Sequence, residues 1–463
     1  MKRRLIPLLL LSAATLSACS LAPSYVRTTT DFVAPQWPTG AAYPEAAAEE
    51  TGMTWHALIA DDRLRQVIDQ ALAHNQDLAA AVANVASVRA QYRSQRSAQL
   101  PSLTAGLDAS QVETKSGDSQ STQESFSASI GISAFELDLF GRQRNLSKAA
   151  FEQYLSSQSG ERSSRLTLIG ETATAYVTLA ANMELLETAR AQVTSAQRTL
   201  TLTQDLHDRG LISGSDVASA ETTLAEARAD TESYTTTVAQ NRNALELLTG
   251  GPVADDLLPT SLDDLDKAIN KAPASLSSSV LLNRPDVVEA EYALKATYAN
   301  IGAARAAYFP TLSLTSTLGS TSDALSNLFS GDNRIWTTDI SASMPIIGGS
   351  TGANVAYAKA QRDYYLALYR KAAQNAYSDV ADGLARQGTI TRQRAAQADA
   401  LMAANRSYNI ADARYREGID SFLTALVSQR TLYSAQQASI ALVQTDISNR
   451  IAVYQALGAD TSL

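Results

Sequence analysis

Apolar and polar residues alternate with a period of two in four short stretches of the chain, while most of the remainder follows a helical period. Leu103, Ala105, Leu107 and Ala109 alternate with Ser102, Thr104, Gly106 and Asp108. After the polar stretch QVETKSGDSQSTQE, Phe126, Ala128, Ile130 and Ile132 alternate with small or polar residues. The pattern predicts two amphipathic strands of about ten residues joined by a flexible polar loop, a hairpin over residues 102–134. Leu312, Leu314 and Leu318, then Ile340, Ala342 and Met344, predict a second hairpin over residues 311–345.

Between these hairpins the chain is helical. No proline interrupts residues 142–207, so a continuous helix there would be about 100 Å long. The stretch DRGLISGSD ends it, with Gly210 suited to a left-handed helix terminus and Ser213 and Asp216 forming a capping box for the next helix, which reaches about Leu248. A second long run over residues 352–416 breaks at RYREGIDSFL, where Gly418 closes one helix and Asp420 or Ser421 opens another that runs to about Leu457. The halves register at a spacing of about 208 residues, as in a domain duplication. The resulting organisation is a first repeat over residues 57–250 (tip 209–216), a connector over 251–284, a second repeat over 285–457 (tip 416–422) and a tail over 458–463.

The N-terminus changes the picture. Lys2, Arg3 and Arg4 precede LIPLLLL, and LSAC follows at residues 16–19, predicting a signal peptide over residues 1–18. Cys19 is the only cysteine of 463 residues, so no intrachain disulfide is available. The segment resembles a bacterial lipobox, which makes Cys19 the lipidated first residue of the mature chain and leaves residues 19–56 as a proline-rich strap. Ser20 in place of Asp resembles lipoproteins sorted to the outer membrane. The formal charge of −9 argues against a nucleic-acid partner.

No later segment approaches the roughly 20 apolar residues of a membrane helix, so any crossing must be made by a barrel. Four strands cannot close one; the chain must oligomerise, and two or three copies both satisfy the strand count. The Ser-, Thr- and Gly-rich second face suits a wet interior. Enzyme signatures are missing: three histidines, His56, His74 and His207, lie outside any H-E-x-x-H pattern, and the sequence has neither a G-x-S-x-G elbow nor a phosphate-binding loop. The expectation is a non-enzyme without cofactor or metal centre.

Three motifs, FELDLFGRQR (135–144), LLNRPDVVEAE (281–291) and ARAAYFP (304–310), resemble those of TolC-like outer-membrane factors of tripartite efflux pumps, in the lipid-anchored NodT and OprM-like branch. Phe135 stands where that family usually has Trp, and Asn283 replaces the first Arg of its RRPD. The resemblance covers the mature chain. It implies a mainly α protein with a small β part: a homotrimer whose four strands per chain form a twelve-stranded barrel in the outer membrane, above a long α-helical barrel in the periplasm. It further implies a periplasmic membrane-fusion adaptor and an inner-membrane transporter of the proton-driven RND class as partners. Carried onto this chain, Gly210, Leu211, Ser213, Gly418, Ile419 and Ser421 become adaptor-contacting tips, and Tyr415, Arg416 and Asp420 the periplasmic gate. Another branch has acidic rings where this chain has Thr424 and Val427. Asp420, opposite Ile212 of the first repeat, is therefore the candidate for a weak cation site on the symmetry axis. The expected function is a passive exit conduit for small molecules; alternatives are a channel for type I protein secretion and a non-channel lipoprotein scaffold.

Overall fold

A computed structural model of the protein describes residues 20–27, 34, 36–44, 54–271, 277–330, 333–347, 349–458 and 460. The signal peptide and Cys19 lie outside the described residues. Helices α1 (Trp55–Leu58), α2 (Asp62–His74) and α3 (Gln76–Ser97) lead to strands β1 (Leu103–Ser116) and β2 (Ser119–Leu137). Then come α4 (Arg142–Asp208), α5 (Gly214–Leu248), α6 (Leu262–Ala268), α7 (Pro285–Ala306), β3 (Thr311–Ser322), β4 (Arg334–Ser343), α8 (Thr351–Arg416) and α9 (Phe422–Leu457). The chain forms two compact units: residues 1–28, 84–158 and 289–370, and residues 29–83, 159–288 and 371–463.

The first unit holds a four-stranded antiparallel sheet in the order β1-β2-β3-β4. Its register gathers the apolar residues on one face: Leu103, Leu107 and Ala109 stand opposite Ile132, Ala128 and Phe126, Ile130 opposite Leu318, and Leu318 and Leu314 opposite Trp336 and Ile340. Thr104, Asp108, Ser129, Thr315, Thr317, Thr337 and Asp339 share the other face. Much of the apolar face lies bare in the single chain, with Leu107 76% and Trp336 77% exposed. A large exposed apolar surface of this kind marks a contact with lipid or another chain.

Two features depart from the expected hairpin. The polar stretch after Ser110 is strand rather than loop: pairing continues to Ser116 opposite Ser119, and Gly117, at φ +63°, makes a two-residue turn possible. β1 and β2 are therefore 14 and 19 residues long. Second, β2 bulges between Ile132 and Phe135. Ala134 absorbs the extra residue at φ +49°, and its N–H donates to Thr315 Oγ1 at 3.1 Å. Without that residue Phe135 and Leu137 would turn to the polar face; with it they stand opposite Leu314 and Leu312 on the apolar one.

In the second unit many Ser and Thr hydroxyls of the long helices are satisfied by the helix backbone, the fully buried Thr172 being an exception. Thr199, Thr203, Thr223, Thr231 and others donate to the carbonyl four residues earlier. The connector is fixed to the start of the chain: Ala60 N–H donates to the Ala268 carbonyl, Asn270 N–H to the Leu58 carbonyl, and Leu58, Ile59, Leu64, Leu262, Leu265 and Ile269 are fully or almost fully buried. From α6, Asp266 accepts from Arg394 of α8 at 2.7 and 3.0 Å and from Arg450 of α9 at 2.6 Å. Asp446 accepts from the same two arginines at 2.6 and 2.7 Å. Burial pushes the Asp266 carboxyl up, but the two guanidiniums outweigh it and hold the carboxyl below its ordinary range.

Candidate functional site at the helical tips

The two tips are built alike, 208 positions apart. In the first, Gly210 N–H donates to the His207 carbonyl and Leu211 N–H to the Leu206 carbonyl; in the second, Gly418 N–H donates to Tyr415 and Ile419 N–H to Arg414. Both are Schellman closures, which require a left-handed residue, and the glycines lie at φ +74° and +70°. Leu211 and Ile419 project from these turns, 67% and 62% exposed.

The helices that follow begin differently. Ser213 and Asp216 form a complete capping box for α5. Ser421, not Asp420, caps α9, accepting from Thr424 N–H; Thr424 stands where the first repeat has Asp216, and the box is lost. Asp420 instead takes Nε and Nη2 of Arg414 at 2.7 and 3.0 Å, which holds its carboxyl below the ordinary range. The corresponding pair in the first tip is Leu206 and Ile212. The cation-binding expectation thus meets a carboxylate already occupied by a guanidinium of its own chain. Among the described residues no cluster of three or more His, Cys, Asp or Glu side chains could hold a metal.

Tyr415 and Arg416, neighbours in sequence, face different surroundings. Tyr415 is 3% exposed, packed with Leu200, Leu224, Phe422 and Leu426, its hydroxyl 3.0 Å from Thr203 Oγ1. Burial pushes its phenol up. Arg416 pairs with Asp412 one turn back, at 2.7 Å. Asp420, beyond the turn, pairs with Arg414.

Tyr415 belongs to a longer polar seam that the sequence did not disclose. Between α4 and α8, Ser195 Oγ lies 2.9 Å from the Tyr408 hydroxyl. Gln429 of α9 donates to Ser195 at 2.9 Å, and Arg430, Tyr433 and Gln437 of α9 reach Glu226, Asp230 and Tyr234 of α5 at 2.8 to 3.1 Å. The helical hairpin of the second repeat is therefore joined to that of the first by side-chain hydrogen bonds over several turns. The seam runs from exposed pairs such as Arg430 and Glu226 to the buried Thr203, Tyr415 and Gln429, so parting it exchanges hydrogen bonds for bonds to water and also uncovers the apolar packing around Tyr415.

The three motifs act away from the tips. In FELDLFGRQR, Glu136 accepts from Arg142 and Gln143, and Asp138 from the Arg144 backbone and side chain, turning the strand into α4 at Gly141 (φ +77°). Phe140 stacks on Phe309 of ARAAYFP with ring centres 4.6 Å apart. Arg284 of LLNRPDVVEAE donates to the Ala456 carbonyl in the last turn of α9, to Asp286 and to Asp379 of α8. A cation at a helix C-terminus is favourably placed, and Arg284 makes these contacts with Asn283 as its neighbour.

The family described as outer membrane efflux protein matches residues 67–251 and 276–459. The toluene efflux pump outer membrane protein TtgC of Pseudomonas putida is 39% identical over 460 residues, 97% of this chain and 94% of that protein. Outer membrane protein OprJ of Pseudomonas aeruginosa is 33% identical over 457 residues, 97% and 94% of the two chains. The open-state MtrE outer membrane channel of Neisseria gonorrhoeae superposes with a TM-score of 0.85 at 31% identity, covering 96% of this chain and 100% of that one. With its four-stranded sheet, duplicated helical hairpins and these matches along nearly its whole length, the chain belongs to the outer membrane efflux protein family and has the TolC fold.

Proposed function

We propose that the polar seam around Tyr415 is the periplasmic gate of this channel and that its parting admits cargo. The protein is the outer-membrane channel of a tripartite RND-type efflux system, a passive conduit for small molecules, trimeric and coupled to a periplasmic adaptor and an inner-membrane transporter. The observation that carries the channel reading is the sheet: four strands with one apolar and one polar face and two unpaired edges. Three copies close twelve strands, turn the apolar faces to lipid and line the lumen with Ser, Thr and Asp. Relatives that are efflux-pump components, one of them for toluene, favour small apolar cargo over secreted protein.

In this reading Leu211 and Ile419, exposed beside rigid glycine turns, are the apolar points offered to the adaptor, and Ser213 and Ser421 fix the helices that carry them. Arg416, paired with Asp412 and more than half exposed, flanks Tyr415 in sequence, and the Arg414–Asp420 pair stiffens the second tip. A cation held by three Asp420 carboxylates would have to displace Arg414 from each, so the pair acts as an internal lock and a weak cation site appears only when Arg414 is removed. Cys19 carries the lipid anchor in the outer membrane. The testing experiment is complementation: in a strain lacking its own channel but supplied with the cognate adaptor and transporter, this protein should restore export of a fluorescent hydrophobic dye. A correctly inserted trimer that restored none would overturn the assignment.

A further inference from the structure

The geometry points to a built dock for the mature N-terminus on α7, whose role is to fix where the anchored residue leaves the protein; it rests on the proposal that Cys19 is lipidated. Residues 20–27 run along α7 from its C-terminal end towards its middle. Ser20 Oγ donates to Asn145 Oδ1 at 3.1 Å, and Arg305 donates to the Leu21 carbonyl at 3.0 Å. Further along, the Tyr25 hydroxyl and the Arg27 guanidinium donate to the two oxygens of Glu291 at 3.1 and 2.6 Å. Lys295 adds a third contact to Glu291 at 3.0 Å, and its ammonium lies 5.3 Å from the centre of the Tyr25 ring. Tyr25 meets Tyr298 edge to face at 5.5 Å.

Two observations separate a site from a chance contact. Glu291 is 5% exposed, and a carboxylate so buried must be paired; Arg27 and Tyr25 of the strap supply two of its three partners. Gly302 lies in the interior of α7, where glycine is disfavoured, and a Cβ there would come within 2.7 Å of Asn145 Nδ2 and 2.8 Å of the Ala22 backbone nitrogen and side chain. The helix has given up a side chain where the strap crosses it. The second unit repeats the device by itself: Gly388 of α8 leaves room for the Ala42 and Tyr43 backbone, Arg392 donates to the Ala41 carbonyl at 2.7 Å, and Trp37 stacks on Tyr377.

The functional consequence comes from connectivity. Ser20 and Leu21 are held beside Arg305, next to the end of α7 at Ala306, from which β3 begins at Thr311. The dock thus holds Ser20, the residue to which the proposed anchor is joined, at the end of α7 that leads into the barrel strands. Glu291 and Arg305, taken by sequence as family markers, are positioning residues for the anchor.

The test uses the full chain as acylated trimer, labelled with radioactive palmitate. Arg27 is the first tryptic site after the signal peptide and the next is Arg63, so one cleavage separates the labelled N-terminus from the body. Glu291→Gln, Arg305→Gln and Gly302→Leu trimers that remain intact on SDS gels and conduct normally should lose label to trypsin at least tenfold faster than the parent. Equal rates in all four proteins overturn the proposal. If Gly302→Leu does not assemble, the two glutamine variants decide. If the parent takes up no palmitate, the lipid reading fails by itself, and the rate of cleavage after Arg27, followed by mass spectrometry, still decides the dock.

Discussion

Removing one oxygen atom from the seam, by Tyr415→Phe, isolates what the gate contributes. The phenylalanine ring keeps the packing against Leu200, Leu224 and Phe422, so the hairpins still fold. What is lost is the hydrogen bond to Thr203, whose hydroxyl remains satisfied because it also donates to the Thr199 carbonyl at 2.8 Å. With no buried group left unpaired, the loss is the net worth of one hydrogen bond, about 1 kcal/mol. If the three copies in a trimer part together, the closed state loses about 3 kcal/mol, on the order of a hundredfold in the open-to-closed ratio. Single-channel recording in planar bilayers reads that ratio directly. Thr203→Val should shift the ratio further, because it leaves the buried Tyr415 hydroxyl unpaired, and the double variant should fall back to the Tyr415→Phe value, since both remove the same bond. Open probability within twofold of the parent in both variants would refute the seam as the gate.

The other predictions concern charge and anchoring. Arg414→Ala should free the Asp420 carboxylates and create a divalent-cation block that the parent lacks, whereas Arg414→Ala with Asp420→Asn should show none; bilayer conductance titrated with magnesium checks both. Arg450→Met leaves Asp266 and Asp446 sharing Arg394, and breaking so buried a pair should destabilise the connector by about 3 kcal/mol or more, read as faster hydrogen exchange in α6. Because the folded Asp266 carboxyl lies below its unfolded value of about 3.9, its contribution is complete above that pH and is lost as pH falls through the depressed value. Exchange in α6 should therefore be equal at pH 7 and pH 5, after correction for intrinsic rates, and rise only in stronger acid. Cys19→Ser should abolish palmitate incorporation while the trimer still assembles; retained label would refute the lipobox reading.

How far the sequence reaches depends on whether the governing interaction is local. Schellman turns need a glycine and a capping serine within a few residues, so Gly210, Ser213, Gly418 and Ser421 were legible. So was the apolar face of the strands, because period two is enforced by lipid on one side. The long polar ends of β1 and β2 were not, since once both faces are polar only backbone pairing keeps them as strand and a polar run looks like a loop. The bulge at Ala134 leaves no compositional trace. Asp420 stood out against Ile212, but the matching change of Leu206 to Arg414, which gives it a partner, lies six residues away across the turn and was overlooked. Ser195, Thr203, Asp230, Tyr433 and Gln437 read as ordinary polar helix surface, because periodicity tells which residues share a face and not which face meets another helix.

Transport requires the second hairpin to leave the first, and a reversible staple across the seam would prevent it. With Ser195→Cys and Gln429→Cys introduced, and Cys19 acylated, a short bis-methanethiosulfonate bridge between the two thiols should hold the seam shut, losing dye export in cells and conductance in bilayers, and a reductant should restore both. Stapled trimers that export and conduct like the parent would show that the seam need not part.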